Sequence, residues 1–81
     1  MKKTVSVEYF ATLRDERGEA GDTFETEAET FQHLFDELKE KYSFSLSTDE
    51  VKIIANNSMS KWDAALSDGD TLIFMPPIAG G

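Results

Sequence analysis

Apolar and polar residues alternate along the first ten positions of the chain. Val5, Val7 and Tyr9 share one parity, with Thr, Ser and Glu between them. A period of two is typical of a strand with one buried face, so we predict a first strand here. Phe10 continues this strand on the polar parity. We therefore expect its side chain to point away from the core.

A short helical turn over Ala11–Arg17, ending near Gly18, is expected to follow. Gly21-Asp22 predicts a second turn, and residues 23–27 then alternate again. The first two strands are thus predicted to form a hairpin with a wide loop.

One α-helix has the strongest periodic signal in the sequence. Over residues 30–41 and just beyond, apolar residues recur at spacings of three and four, which places them on one stripe of a helix. They are Phe31, Leu34, Phe35, Leu38 and Tyr42. Thr30 is a suitable N-cap, and the lysines of the last turn suit the negative end of the helix dipole.

The segment after this helix is predicted to hold one buried strand between polar stretches. Residues 43–50 are polar and turn-prone, with Phe44 and Leu46 as expected anchors. Residues 51–55 predict a third, largely buried strand. Asn56-Asn57-Ser58 predicts a turn, and residues 59–66 are expected to be irregular, with Trp62 and Leu66 packing inward.

The last strand is predicted at residues 71–75, after the turn Ser67-Asp68-Gly69-Asp70. This turn resembles a calcium loop in part, but the other oxygen ligands are missing. The order β-β-α-β-β predicts an α+β fold, with a mixed sheet wrapped round one main helix. A β-grasp is the simplest such fold, and we expect residues 1–81 to form one domain of this kind.

Length and composition limit the classes of function that this chain can have. The 81 residues are fewer than the roughly 100–200 typical of a domain, so no separate catalytic lobe is expected. A net charge of −8 disfavours nucleic acid and favours a partner with a basic docking surface. No segment is long and apolar enough to predict a membrane span or a signal peptide, so we expect no membrane partner and a cytoplasmic location.

Catalysis by the chain's own side chains is not expected. With no cysteine and His33 as the only histidine, neither a metal cluster nor a nucleophile–histidine–acid relay can be assembled in its usual form. We therefore predict no metal site and a solvent-facing His33. The carboxylate pairs Glu25/Glu27 and Asp36/Glu40 are interpreted as solvated surface charges.

The C-terminal end is the most unusual feature. Pro76 and Pro77 cannot donate hydrogen bonds to a sheet, so they should end the last strand and direct a flexible tail, residues 76–81, outward. Gly80 and Gly81 lack Cβ atoms, so the tail would fit a narrow channel on a partner. Adenylation by ATP in a partner enzyme would activate the Gly81 α-carboxylate toward a nucleophile. The alternative is a frayed terminus that happens to end in two glycines.

A second feature is an uncovered apolar patch. If Leu72 and Phe74 face the helix, the alternate residues of the last strand face away from it. Three apolar residues would then share the open sheet face: Phe10, Ile73 and Met75. An exposed patch of this kind indicates a partner, and Met59 is expected to join it. The alternative is that residues 43–50 cover these side chains.

Two motifs together resemble a known family. They are Asp68-Gly69-Asp70-x-x-x-Phe74-x-Pro76-Pro77-x-x-Gly80-Gly81 and Tyr9-Phe10-Ala11-x-x-Arg14. Over essentially the whole chain, the sequence resembles the small subunits of molybdopterin synthases, which are the sulfur carriers of molybdenum-cofactor biosynthesis.

This resemblance implies a ubiquitin-like β-grasp that is not catalytic alone and binds no cofactor itself. An E1-like adenylyltransferase, using ATP and Mg²⁺, would adenylate the Gly81 carboxylate, which then becomes a thiocarboxylate. The carrier would pair with the large catalytic synthase subunit in a heterotetramer and donate sulfur to cyclic pyranopterin monophosphate. The inserted tail would comprise Pro76, Pro77, Ala79 and Gly80 beside Gly81.

The resemblance also implies a hydrophobic docking surface at Phe10, Met59 and Met75, which agrees with the parity argument for Phe10 and Met75. Arg14 would meet an acidic group on a partner, and Ile73 completes the predicted interface. Two alternatives remain at this point: a carrier for thiamine synthesis or tRNA thiolation, and a ubiquitin-like binding module whose tail is never activated.

Overall fold

Residues 2–76 are described by the computed structural model of the protein. They form seven elements: β1 (Lys3–Tyr9), α1 (Ala11–Arg17), β2 (Gly21–Thr26), α2 (Phe31–Tyr42), β3 (Lys52–Ala55), β4 (Ser58–Ser60) and β5 (Thr71–Met75). The sequence predicts six of them, and α1 and α2 start and end close to the predicted residues.

The five strands form one mixed sheet in the order β2-β1-β5-β3-β4. The first and last strands, β1 and β5, are parallel neighbours at its centre, and the other neighbouring strands are antiparallel. The buried face of α2 packs with the apolar side chains of one sheet face in a single core. This is the β-grasp arrangement, as the element order predicts.

Aromatic side chains form the centre of the core. The Phe35 ring lies 5.3 Å from the Phe74 ring and 5.1 Å from the Trp62 ring, measured between centroids. The Trp62 indole N–H donates to the Val51 carbonyl at 3.1 Å, so its polar atom is satisfied. Burying each side chain of this size contributes about 1.5–3 kcal/mol to folding.

The polar segment after α2 lies against the same core. Phe44 is buried, and its ring is 5.7 Å from that of Tyr9 and 6.1 Å from that of Phe35. Both neighbours belong to the core between α2 and the sheet. The predicted anchor is thus confirmed, whereas the alternative that this loop covers the open sheet face through its anchor is not supported.

The predicted turn at Gly21-Asp22 is wrong. Both residues belong to β2, and Gly21 is the Cα partner of Glu8 in the β1–β2 ladder. The glycine is needed for close approach of the strands, because a Cβ there would lie 2.9 Å from the Val7 carbonyl oxygen. The chain turns at residues 18–20 instead.

A strand is present where irregular structure was predicted. Ser58 and Met59 in β4 pair with Ala55 and Ile54 of β3. The connection is Asn56-Asn57, with φ values of 52° and 71°. Two left-handed residues joining antiparallel strands are typical of a tight type I′ turn, for which asparagine is well suited.

Candidate functional site: the open sheet face

The sheet face opposite α2 has an apolar half. Across the strands, Ile73 is the Cα partner of Ile54, and Ile54 is the partner of Met59. Cα partners project to the same face, so these side chains form one row, with Met75 beside it on β5. We call Ile54, Met59, Ile73 and Met75 the docking strip.

Exposure confirms the parity prediction for β5. Leu72 and Phe74 are fully buried on the helix side, whereas Ile73 and Met75 are half-buried on the open face. Met59 is 69% exposed, an unusual state for a side chain of this kind. Exposed apolar residues that are contiguous, as here, mark interaction sites more often than isolated ones do.

Phe10 extends the apolar area at the corner between β1 and α1. Tyr9 and Phe74 are Cα partners in the parallel β1–β5 ladder, so the residues that follow them, Phe10 and Met75, lie at the same end of the two strands. Phe10 is 39% exposed, and it is the N-cap residue of α1. It lines a shallow cavity of about 430 Å³ with Glu8, Arg14 and three further residues.

Arg14 is exposed on the first helix and lies between two shallow cavities. One is the cavity beside Phe10, and the other, of about 410 Å³, is lined by Arg14 with Asp15 and Glu19 among others. Within residues 2–76, no hydrogen bond or ion pair of its guanidinium is found, so it is available to an acidic group.

A polar cluster anchors α1 to the sheet. Asp22 accepts hydrogen bonds from Arg17 Nε and Nη2, both at 2.7 Å, and from the Tyr9 hydroxyl at 3.1 Å. The bonds from Arg17 hold the pKa of the Asp22 carboxyl below its usual value. Burial, followed by the Asp22 charge, raises the pKa of Tyr9 well above its usual range. The Arg17 guanidinium also lies 4.3 Å from the centroid of the Tyr42 ring, a cation–π contact.

Two features, one on the open face and one on the helix side, were missed by the sequence analysis. Ile54 was assigned to a buried strand, yet it lies at the centre of the docking strip. Recognising Asn56-Asn57 as a two-residue hairpin turn would have predicted β4 and placed Ile54 opposite Met59. The Asp22 cluster was also missed, because no sequence periodicity relates residues on β1, α1 and β2.

The predicted tail residues lie outside the described part of the chain, apart from the first. Pro76 follows the end of β5 directly and is buried. Pro77, Ala79, Gly80 and Gly81 fall in residues 77–81, so the predictions made for them stay predictions.

The remaining candidates are polar side chains outside the docking strip, and all but the buried Asp70 are exposed. His33 is exposed, and so are the four carboxylates of the predicted acidic pairs. Asp68 and Asp70 form a turn, in which Asp70 accepts from the Ser67 amide and from the Asn56 side chain. Residues 2–76 contain no group of three acidic, histidine or cysteine side chains placed to hold a metal ion. Nor does any helix in this part of the chain have the length and apolar character of a membrane span.

The topology and the open apolar face define a small protein of the ubiquitin-like β-grasp class. A sequence profile of the ThiS family matches residues 7–81, and the chain belongs to this family. Its members are small ubiquitin-like sulfur carriers without catalytic activity of their own. No curated protein matches the chain by sequence.

Solved structures agree with this assignment. A protein designated molybdopterin converting factor, subunit 1, from Pyrococcus furiosus is 29% identical, with a TM-score of 0.76 over 94% of this chain and 99% of its own. The small archaeal modifier protein 1 from Methanosarcina acetivorans is 20% identical, with a TM-score of 0.80 over 100% and 99%.

A complex is also among the similar structures. The complex of subunits 1 and 2 of the molybdopterin-converting factor from Helicobacter pylori includes a chain that is 24% identical to this one. Its TM-score is 0.63, and the match covers all of both chains. At this identity, the likeness is evidence for the fold alone.

Proposed function

We propose that the chain is the sulfur-carrier subunit of a molybdopterin synthase. The observation that carries this proposal is the position of the docking strip relative to the C-terminus. Ile73 and Met75 lie on β5, and β5 leads directly into Pro76 and the Gly-Gly end. A partner bound to the strip would therefore hold the start of the C-terminal tail, at Pro76, close to its own active site.

The length of the remaining chain suits this role. Five residues follow Pro76, and a fully extended chain of five residues spans at most roughly 17 Å. That is enough to carry a carboxylate from the edge of an interface into a buried site. The two glycines at the end keep this segment narrow.

The proposed chemistry takes place at the Gly81 carbonyl carbon. A carboxylate oxygen attacks the α-phosphorus of ATP and releases pyrophosphate, which gives an acyl adenylate. A sulfur donor at the oxidation level of hydrosulfide then attacks the carbonyl carbon, AMP leaves, and a thiocarboxylate forms. The thiocarboxylate sulfur attacks an oxygen-bearing side-chain carbon of cyclic pyranopterin monophosphate, and the C–O bond at that carbon breaks with its electron pair leaving on the oxygen. Water then cleaves the acyl–sulfur bond, which leaves the sulfur on the pterin and restores the Gly81 carboxylate.

Two proposed partners would bind the other reactants. An E1-like adenylyltransferase would bind the ATP and Mg²⁺, and the large synthase subunit would bind the pterin in a heterotetramer, so this chain itself needs no cofactor. The Helicobacter pylori complex of subunits 1 and 2 supports a large-subunit partner. Phe10 and the docking strip would form the apolar contact, with Arg14 meeting an acidic group. We propose a cytoplasmic location, where ATP is supplied.

Intact mass spectrometry tests the carrier chemistry. The chain is incubated with an E1-like adenylyltransferase, ATP, Mg²⁺ and a sulfide donor. We expect a mass gain equal to replacing one oxygen by sulfur, located in the C-terminal peptide and absent without ATP. Extending the chain by residues fused after Gly81 should abolish the gain. No gain for the unmodified chain, under conditions that sulfurate a control carrier, would contradict the proposal.

The two alternatives predict different products. A carrier for thiamine synthesis or tRNA thiolation would gain the same sulfur but would not convert cyclic pyranopterin monophosphate with the large subunit. A ubiquitin-like binding module would gain no sulfur, and removing Gly81 would leave its partner binding intact. Assaying sulfur gain and pterin conversion on the same preparation therefore separates all three functions.

A further inference from the structure

Two charged side chains border the docking strip on the open sheet face. Lys52, the first residue of β3, is the Cα partner of Met75 on β5. Glu8 lies on β1, at the other side of β5, and is the Cα partner of Ile73. Neighbouring strands lie about 4.8 Å apart and their Cα partners project to the same face, and both charged side chains are exposed. A partner that covers the docking strip therefore also reaches both charges.

The chain does not pair these two charges with each other or with a neighbour. Strand β5 lies between β1 and β3, so the two backbones are about 10 Å apart across the sheet. Within residues 2–76, the one ion pair joins Arg17 to Asp22. In the same part of the chain, neither the Lys52 ammonium nor the Glu8 carboxylate has a hydrogen bond or an ion pair. Both charges are therefore free to meet a group on a partner.

Covering the strip has an electrostatic cost at both places. Ile73 and Met75 are half-buried, so a partner gains apolar contact by covering them. The same contact takes water away from the neighbouring ammonium and carboxylate groups. A charge that loses water without gaining an opposite charge is strongly destabilising, whereas a close opposite charge offsets the loss. A partner that fits this face therefore has an acidic group opposite Lys52 and a basic group opposite Glu8.

We propose that Lys52 and Glu8 orient the large synthase subunit on the docking strip. A carboxylate of that subunit faces Lys52 on the β3 side, and a basic side chain faces Glu8 on the β1 side. The two opposite charges make the strip asymmetric, so a partner bound in the reverse orientation would bring like charges together, which disfavours that orientation. This inference rests on the proposed function, because the partner is the large synthase subunit.

The variant Lys52→Glu separates local pairing from attraction by the whole chain. It makes the chain more negative by two charges, so attraction of a basic surface would speed association and lower the Kd. Local pairing predicts the opposite, because the new carboxylate would lie against a carboxylate of the partner. Against the purified large synthase subunit, we expect the Kd from titration calorimetry to rise about tenfold or more.

Three further variants serve as controls. Lys41→Glu makes the same change in charge on α2, at the other side of the sheet, and should not raise the Kd. Lys52→Arg keeps the charge and should bind like the unchanged chain. The double variant Glu8→Lys/Lys52→Glu swaps the two charges without changing the net charge, and it should weaken binding more than Lys52→Glu alone. The substituted positions are exposed, so each variant is expected to fold with a melting temperature near that of the unchanged chain.

Cross-linking gives a direct measurement on the complex. A carbodiimide condenses a carboxylate with an adjacent amine, with loss of water, and so forms an amide bond. We expect peptide mass spectrometry to find Lys52, but not Lys41, joined to an Asp or Glu of the large subunit.

The outcomes distinguish this inference from the proposed function. If Lys52→Glu binds as tightly as the unchanged chain, or if Lys52 forms no cross-link within the complex, the inference is overturned and the proposed function stands. If the double variant binds no more weakly than Lys52→Glu, the role of Glu8 is overturned. If the unchanged chain does not bind the large subunit, the proposed function and this inference are both contradicted.

Discussion

Asp22 links three parts of the fold through a single carboxylate. It accepts from Arg17 on α1 and Tyr9 on β1 while lying on β2. Both donors would lose a charged acceptor if this charge were removed. Hydrogen bonds to charged groups contribute about 1.5–3 kcal/mol each, more than neutral ones, so Asp22 is a major local anchor of α1.

Asp22 should also make stability depend on pH. Its pKa is held below the ordinary 3.8, so its contribution is present above that pH and is lost as acid protonates the folded carboxylate. We expect Asp22→Asn to lower the free energy of unfolding at neutral pH by about 1.5–3 kcal/mol. In this variant, the free energy of unfolding should also decrease less steeply as the pH falls below 3.8. Urea denaturation at several pH values measures both effects. Asp49→Asn, at an exposed site, is the control, and an unchanged slope for Asp22→Asn would contradict this assignment.

Met59 is the most direct test of the docking strip. Because its side chain is 69% exposed, Met59→Arg should leave the melting temperature nearly unchanged. A charge buried in an apolar contact should raise the Kd for the large synthase subunit about tenfold or more. Titration calorimetry gives this value.

The matched control is Thr4→Arg. Thr4 is exposed on the same sheet face but belongs to its polar half, opposite Glu25. This variant makes the same change in net charge, so it separates the place of the substitution from the charge itself. Equal weakening by both variants would show that the strip is not the contact.

The helices and strands that could be predicted from the sequence are those with several apolar residues at regular spacing. The second helix was predictable because four buried residues of its stripe recur at helical spacing over about two turns. The strand β4 was not, since three residues with one apolar member leave no alternation to detect. The extent of β2 was missed at Gly21 because glycine indicates a turn locally, while its real role depends on the distant Val7 carbonyl.

The same reasoning explains which site residues were found. Ile73 and Met75 follow from alternation against Leu72 and Phe74, which face the core. Met59 was expected to join the patch, and the family resemblance implied it too, but no strand placed it there because β4 was not recognised. Ile54 could not be identified without the β3–β4 pairing, since a run of apolar residues does not say which member faces outward.

The start of α2 offers a prediction at the scale of an element. Replacing Thr30 by alanine removes the hydroxyl that accepts from the His33 amide. We expect the free energy of unfolding to fall by about 1 kcal/mol. Thr30→Ser, which keeps the hydroxyl, should lose much less. Equal losses for the two variants in urea denaturation would mean that the cap does not stabilise this helix.

At the scale of the whole molecule, the net charge governs how fast the chain and a partner approach each other. A net charge of −8 on 81 residues produces a field that extends beyond any one contact and attracts a basic surface. Salt screens this field within about 10 Å at 0.1 M. The docking strip itself is apolar, so screening should affect the approach of the partner more than the contact.

We therefore expect the association rate constant with the large synthase subunit to fall roughly tenfold or more between low and high salt. The dissociation rate constant should change little, because charges outside a contact act mainly on association. Stopped-flow mixing measures the first and surface plasmon resonance the second. An association rate that is independent of salt would exclude electrostatic steering by this chain.

The single tryptophan gives the chain a built-in optical reporter. Trp62 packs on the helix side, with its ring 5.7 Å from that of Phe74, while the docking strip occupies the opposite side of the sheet. Indole emission responds to the polarity around the ring. Unfolding would shift the emission to longer wavelength, but occupation of the open face would leave it in place. Intrinsic fluorescence can thus distinguish a variant that has lost its fold from one that has lost only its partner.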